Sequence, residues 1–71
     1  MPKIKILLNG EERLIEAQTS IQKLVEDLEL DVKKIAIEKN YEIIFPDDFG
    51  GEVLSAGDKI EIVHFIGGGW Y

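Results

Sequence analysis

With 71 residues the chain makes one domain whose core is a single apolar layer; at this size folding buries only roughly 60% of the unfolded surface and leaves little room for an internal substrate cavity. A hydrophobic fraction of 45% fits a folded chain, and the lack of cysteine excludes a disulfide staple, a thiolate metal site and sulfur chemistry on a side-chain thiol. The net charge of −6, from 14 acidic and 8 basic residues, disfavours nucleic acid and anionic membrane as partners and favours a positively charged groove on another protein.

Lys3 to Leu8 alternates at the strand period, with Ile4, Ile6 and Leu8 on one face. Asn9-Gly10 is the preferred pair for a tight turn whose central residues need positive φ, and Glu11 to Ala17 returns with Leu14 and Ile15. Thr19 with Gln22 fits a capping box, and Ser20 is nearly as good a cap. Behind them Ile21, Leu24, Val25 and Leu28 form one apolar helical stripe, which Asp31 to Lys34 leaves as a polar exit.

Ile35-Ala36-Ile37 suits a buried strand, Lys39-Asn40 a turn, and Tyr41 to Phe45 a second short strand stopped by Pro46. Asp47 to Gly51 reads as a loop by composition. Leu54 to Asp58 turns into a last strand, Lys59 to Ile66, before Gly67-Gly68-Gly69-Trp70-Tyr71. A helix following one hairpin must cross the sheet, and the closing strand then returns beside the first in parallel. The expected fold is α+β: a ubiquitin-like β-grasp roll, its mixed sheet wrapping one main helix. Residues 1–66 form the domain, and 67–71 a flexible glycine-rich tail.

Conventional catalysis finds little support. His64 has no cysteine to activate, and its spacing from Ser20 and Ser55 does not support a triad. It reads as a strand residue near a sheet edge. Glu11-Glu12 and Asp47-Asp48 read as solvated turns rather than metal ligands, so no metal is expected. No glycine-rich loop joins a strand to a helix, as a phosphate cradle would require.

The last strand and the tail say more. With Ile60 and Ile62 facing the helix, Glu61, Val63 and Phe65 face outward, and the same count sends Leu7 outward beside Lys3 and Lys5. Leu7, Val63 and Phe65 are therefore expected to form an exposed docking patch for a partner. Gly67, Gly68 and Gly69 do not stabilise a fold, yet they let a backbone pass close to a channel wall. From Phe65 to Gly69 an extended chain reaches on the order of 13–15 Å.

The segment Leu54 to Gly69, with its run Gly57-Asp58-Lys59-Ile60-Glu61-Ile62-Val63-His64-Phe65-Ile66-Gly67-Gly68-Gly69, resembles the ThiS family of thiamine-biosynthesis sulfur carriers. The likeness continues upstream through Ile4 to Gly10, Thr19 to Leu28 and Ile35 to Pro46. It implies a protein cosubstrate, not an enzyme, that binds no cofactor of its own. An adenylating enzyme similar to ThiF would use ATP with Mg²⁺ to activate a terminal glycine, Gly69 or Gly68. A sulfur donor, usually a persulfide, would convert that end to a thiocarboxylate, and a ThiG-like thiazole synthase would take the sulfur. Family members end at glycine, whereas Trp70-Tyr71 follows Gly69 here. A trimming peptidase that cuts after Gly69 is expected; the alternative is a chain that has lost the carrier role, its aromatic pair anchoring a partner or packing on its own outer face. Two further readings stay open: a carrier of the molybdopterin-synthase type, and a noncovalent β-grasp protein-binding module. Met1-Pro2-Lys3 lacks a signal-peptide core and no apolar run approaches membrane-spanning length, so a cytoplasmic chain is expected.

Overall fold

A computed structural model of the chain describes residues 2–65. Strands β1 (Lys3–Leu8) and β2 (Glu11–Glu16) form the opening hairpin. Asn9 and Gly10 both take positive φ, 51° and 84°, the backbone of a primed turn whose twist matches the flanking strands. Helix α1 (Ile21–Asp27) follows, then β3 (Ile35–Lys39), β4 (Glu42–Ile44) and β5 (Lys59–His64). The sheet runs in the order β2-β1-β5-β3-β4, with β5 parallel to β1 and antiparallel to β3. One helix against a mixed sheet is the α+β roll that the pattern of elements implies.

Alternation along the strands sets the core. Ile6, Ile15, Ile35, Ile37, Ile60 and Ile62 are buried on the inner face, against Ile21, Leu24 and Val25 of α1. Seven residues of helix measure only about 10 Å, and Phe49 and Leu54 complete the apolar cluster beside it. Phe49 is 1% exposed. The stretch read as a loop by composition is thus a 3-10 turn, Pro46–Asp48, that drives an aromatic ring into the core. Polar neighbours masked that role in the sequence.

The same loop caps the helix. Ile21 N–H donates to the Glu52 carbonyl (2.8 Å) and Gln22 N–H to the Phe49 carbonyl (3.0 Å), so amides that a helix start leaves unpaired are satisfied. Ser20, not Thr19, is the N-cap, its hydroxyl accepting from Lys23 N–H at 3.1 Å. Thr19 is buried and donates to the Glu16 carbonyl (2.6 Å), while the Gln22 side chain turns outward to Glu26. The capping box is therefore not made. At the other end Glu29 takes φ 58°, Glu29 N–H bonds to the Glu26 carbonyl, and Leu30 N–H to that of Val25, a Schellman stop without glycine. The polar exit that follows is a 3-10 turn, Val32–Lys34, capped by the Asp31 carboxylate.

β5 is bonded on both flanks. β1 accompanies it only as far as Leu8 opposite Ile60. There the Asn9 side chain takes over, accepting from Ile62 N–H at 2.7 Å and donating to the Ile62 carbonyl at 3.4 Å. The amide acts as one further strand residue. On the other side β3 pairs from Lys39 to Ile35, and Phe65 N–H continues to the Lys34 carbonyl (2.8 Å). The Lys39 ammonium reaches the Glu52 carboxylate at 2.8 Å, tying β3 to the capping loop. That hydrogen bond raises the Lys39 pKa, with burial opposing it. A raised lysine contributes its stability fully below the ordinary value of 10.5 and loses it as pH climbs through the higher folded value.

Two expectations change. His64 lies on the central strand, not near a sheet edge; it is exposed because β5 ends there. Glu11 and Glu12 open β2 rather than form a turn, and Glu12 pairs with Lys5 across the hairpin (3.6 Å).

Phe49→Ala empties a fully buried site and is expected to cost about 3–5 kcal/mol, read as a lower urea midpoint; a loss within about 1 kcal/mol would remove Phe49 from the core. Asn9→Ala strands the Ile62 amide and should cost about 1–3 kcal/mol. Hydrogen exchange locates that effect: Ile62 must speed up far more than Ile6.

Candidate functional site

The outer face of β3, β4 and β5 carries an open, mainly apolar groove of about 560 Å³. Strand alternation builds it. Val63 sits directly opposite Ala36, and Glu61 opposite Glu38, which in turn faces Ile43 on β4. Phe45 and Pro46 close the side beyond β4, and Val32 and Phe65 close the end at which β5 finishes. Ile43 is 60% exposed and Phe45 65%, so large apolar side chains stand in water together rather than singly. Contiguous exposure of this kind marks a contact surface more often than chance scatter does.

The expected patch is only partly assembled. Val63 and Phe65 both line the groove; Leu7 does not. Leu7 shares the outward face but pairs with Lys59, four residues before Val63, or about 13 Å along the strand. The sequence count assumed that the two parallel strands lie level. β1 instead stops where β5 begins, and Leu7 sits beside the Lys3 and Lys5 bridges to β2. Ala36, Ile43 and Phe45 take its place. The run Ile43-Ile44-Phe45 held the missed signal: consecutive apolar residues give a strand two apolar faces, and only one can enter the core.

Two carboxylates, Glu38 and Glu61, and one ammonium group, Lys33, line the groove. Glu38 and Glu61 are direct cross-strand neighbours at one end of the groove. The nearby Lys59 ammonium is held by the Tyr41 hydroxyl (2.9 Å), which raises its pKa; the carboxylates of Glu61 and Glu38 add to the effect and desolvation opposes it. No group of histidine, cysteine or carboxylate side chains among the described residues could hold a metal ion. The groove offers shape, apolar surface and negative charge, which are the means to bind a partner. Gly67, Gly68, Gly69, Trp70 and Tyr71 lie outside the described residues. The chain leaves the described fold at Phe65, on the groove wall.

Comparison with known proteins adds the following. The model of the ThiS family matches residues 6–69. The sulfur carrier protein ThiS of Bacillus subtilis is 40% identical over 63 residues, covering 87% of this chain and 96% of that protein. Thiazole synthases of Paramagnetospirillum magneticum and Magnetococcus marinus are 41% and 42% identical over 66 residues, 93% of this chain. The chain spans only 20% of the length of either synthase. A crystal structure of the thiamine biosynthesis protein ThiS from Geobacter metallireducens superposes with a TM-score of 0.81 at 22% identity, covering 93% of this chain and 100% of that one. A solution structure of a thiamine biosynthesis protein from the same organism gives 0.76 at 21% identity, covering 96% and 91%. At such identity these two show a shared fold.

Two carboxylates directly opposite each other oppose folding. Glu38→Lys replaces repulsion with a cross-strand ion pair and is expected to stabilise the fold by about 0.2–1 kcal/mol. Urea denaturation in low salt measures it; an unchanged or lower midpoint would mean that the pair does not interact.

Proposed function

The chain belongs to the ThiS family, and from that premise we propose that it is a sulfur carrier of thiamine biosynthesis, loaded at the carboxylate of Gly69 once Trp70-Tyr71 has been removed. The observation that carries this reading is the span of the family match, which runs through all three tail glycines and stops at residue 69. The near full-length likeness to the Bacillus subtilis carrier supports it.

Trimming is hydrolysis of the Gly69–Trp70 peptide bond: water adds across it and frees the Gly69 carboxylate. In the loading step that carboxylate attacks the α-phosphorus of ATP, bound with Mg²⁺ on a ThiF-like adenylating partner, and pyrophosphate leaves. AMP is then a good leaving group on the acyl carbon. The terminal sulfur of a persulfide displaces it, and a second thiol reduces the resulting acyl persulfide, leaving a thiocarboxylate and a disulfide. A ThiG-like thiazole synthase takes up the sulfur. Two proteins named thiazole synthase hold a segment about as similar to this chain as the free carrier is, which supports a synthase as the receiving partner.

The chain supplies docking and reach, and its partners supply the catalytic groups. It is a cosubstrate. Val63 and Phe65, with Ala36, Ile43 and Phe45, form the docking surface, while Leu7 contributes at most a separate contact. The acidic rim and the net charge of −6 suit a positively charged partner surface.

The test uses a form ending at Gly69, incubated with ATP, Mg²⁺, an adenylating enzyme of the family and a persulfide donor. The expected product is heavier by the difference between one sulfur and one oxygen, and the chain that retains Trp70-Tyr71 stays unloaded. Failure of the Gly69 form to acquire either AMP or sulfur removes the carrier reading. Loading of the uncut chain at Tyr71 removes the trimming step.

A further inference from the structure

Asn9 meets β5 through its backbone and its side chain. The backbone N–H donates to the Ile60 carbonyl (2.8 Å), and the side-chain amide accepts from Ile62 N–H (2.7 Å) and donates to the Ile62 carbonyl (3.4 Å). The next residue is Gly10, exposed and with nothing within 4 Å of the place that a Cβ would occupy. Glycine in that position leaves its backbone nitrogen unhindered for attack on the asparagine amide. From this juxtaposition we infer that Asn9 is a latent modification site, a deamidation centre that stays shut while Ile62 holds its amide and that unlatches β5 from the hairpin once it is converted.

The step needs only water. The Gly10 nitrogen gives up its proton and bonds to the Asn9 Cγ, ammonia leaves with that proton, and a cyclic imide remains. Water then opens either carbonyl of the imide, so asparagine and water become aspartate or isoaspartate and ammonia. Both residues are exposed, and water and base reach them. Topology, however, aims the amide away from closure. β1 lies between β2 and β5. The chain turns through Gly10 towards β2, whereas the amide reaches across to β5. Swinging Cγ round to the Gly10 nitrogen breaks both Ile62 bonds first, so the reaction waits on local opening.

The products hold β5 less well than asparagine does. Aspartate keeps an acceptor for Ile62 N–H but loses the donor to the Ile62 carbonyl. Isoaspartate routes the main chain through the former side chain and inserts a methylene before Gly10. The turn with φ of 51° and 84° and the two-point contact with Ile62 cannot both survive that insertion. β1 pairs with β5 no further than Leu8 opposite Ile60, so the Asn9 amide is what holds Ile62 on that flank. Without it Ile62 keeps the β3 flank. Asn40 serves as an internal control, because Tyr41 follows it and a bulky side chain hinders ring closure.

The test incubates the native chain, the chain unfolded in urea and a peptide of residues 5–13 at the same mildly alkaline pH. Mass spectrometry follows the exchange of NH for oxygen at Asn9 and at Asn40, and an isoaspartyl methyltransferase assay counts the isoaspartate. The peptide and the unfolded chain should react alike, and the native chain about ten-fold or more slower, as expected when two hydrogen bonds must open. Native Asn9 reacting as fast as the peptide overturns the guard. So does faster conversion at Asn40 than at Asn9 in the unfolded chain. For the latch, chain converted in urea is returned to native buffer and its amide exchange is measured. Ile62 should exchange about ten-fold or more faster while Ile6 and Ile37 stay protected; unchanged protection of Ile62 in the isoaspartate form overturns the latch. The rate comparison requires no refolding and decides the guard by itself.

Discussion

From Lys59 to Ile62, β5 is bonded on one side to β1 and then to the Asn9 amide, and on the other to β3, a flank that continues through His64 to the bond between Phe65 N–H and the Lys34 carbonyl. Everything else about the molecule follows from that double hold. The proposed delivery of an end group to another protein needs a fixed origin, and a strand paired on both flanks opens far less readily than an edge. The hairpin contributes Asn9, the helix and its capping loop press on Ile60 and Ile62 from within, and the outer face is left for contact. A side-chain amide standing in for backbone lets β1 end early while β5 continues.

The groove shows the tension in so small a domain. Apolar residues are needed to close the core, and here Ile43, Phe45 and Val63 remain in water at about 25 cal/mol for each Å² left unburied. Glu38 opposite Glu61 adds a repulsion that folding alone would not select. Such departures from local rules are expected where a surface serves a partner. A carrier needs a face that is incomplete by itself and becomes complete on docking, and apolar area with an acidic rim has that character.

The division of labour is equally physical. A carboxylate is a poor electrophile, and nothing among the described side chains would activate one: no metal cluster is present there, and His64 stands exposed at a strand end. In the proposed function activation lies with the partner, so the carrier's selective value lies in presentation. Stability and docking then compete for the same few apolar residues, and the capping loop with Phe49 lets a seven-residue helix suffice for the core.

The sequence by itself determined the elements and their order. Alternation at Ile4, Ile6 and Leu8, the Asn9-Gly10 turn and the stripe Ile21, Leu24, Val25 and Leu28 are local signals, and local backbone preferences with burial are enough to read them. It also marked Val63 and Phe65 as outward-facing. Tertiary structure alone decided what depends on how distant segments slide past one another. The offset of β1 against β5 removed Leu7 from the groove, and the pairing of β3 with β4 brought in Ile43. Phe49 became core and Ser20 displaced Thr19 as the cap because a loop thirty residues away closes over the helix start. Periodicity fixes which face a side chain takes, but not where along that face its neighbours across the sheet will lie.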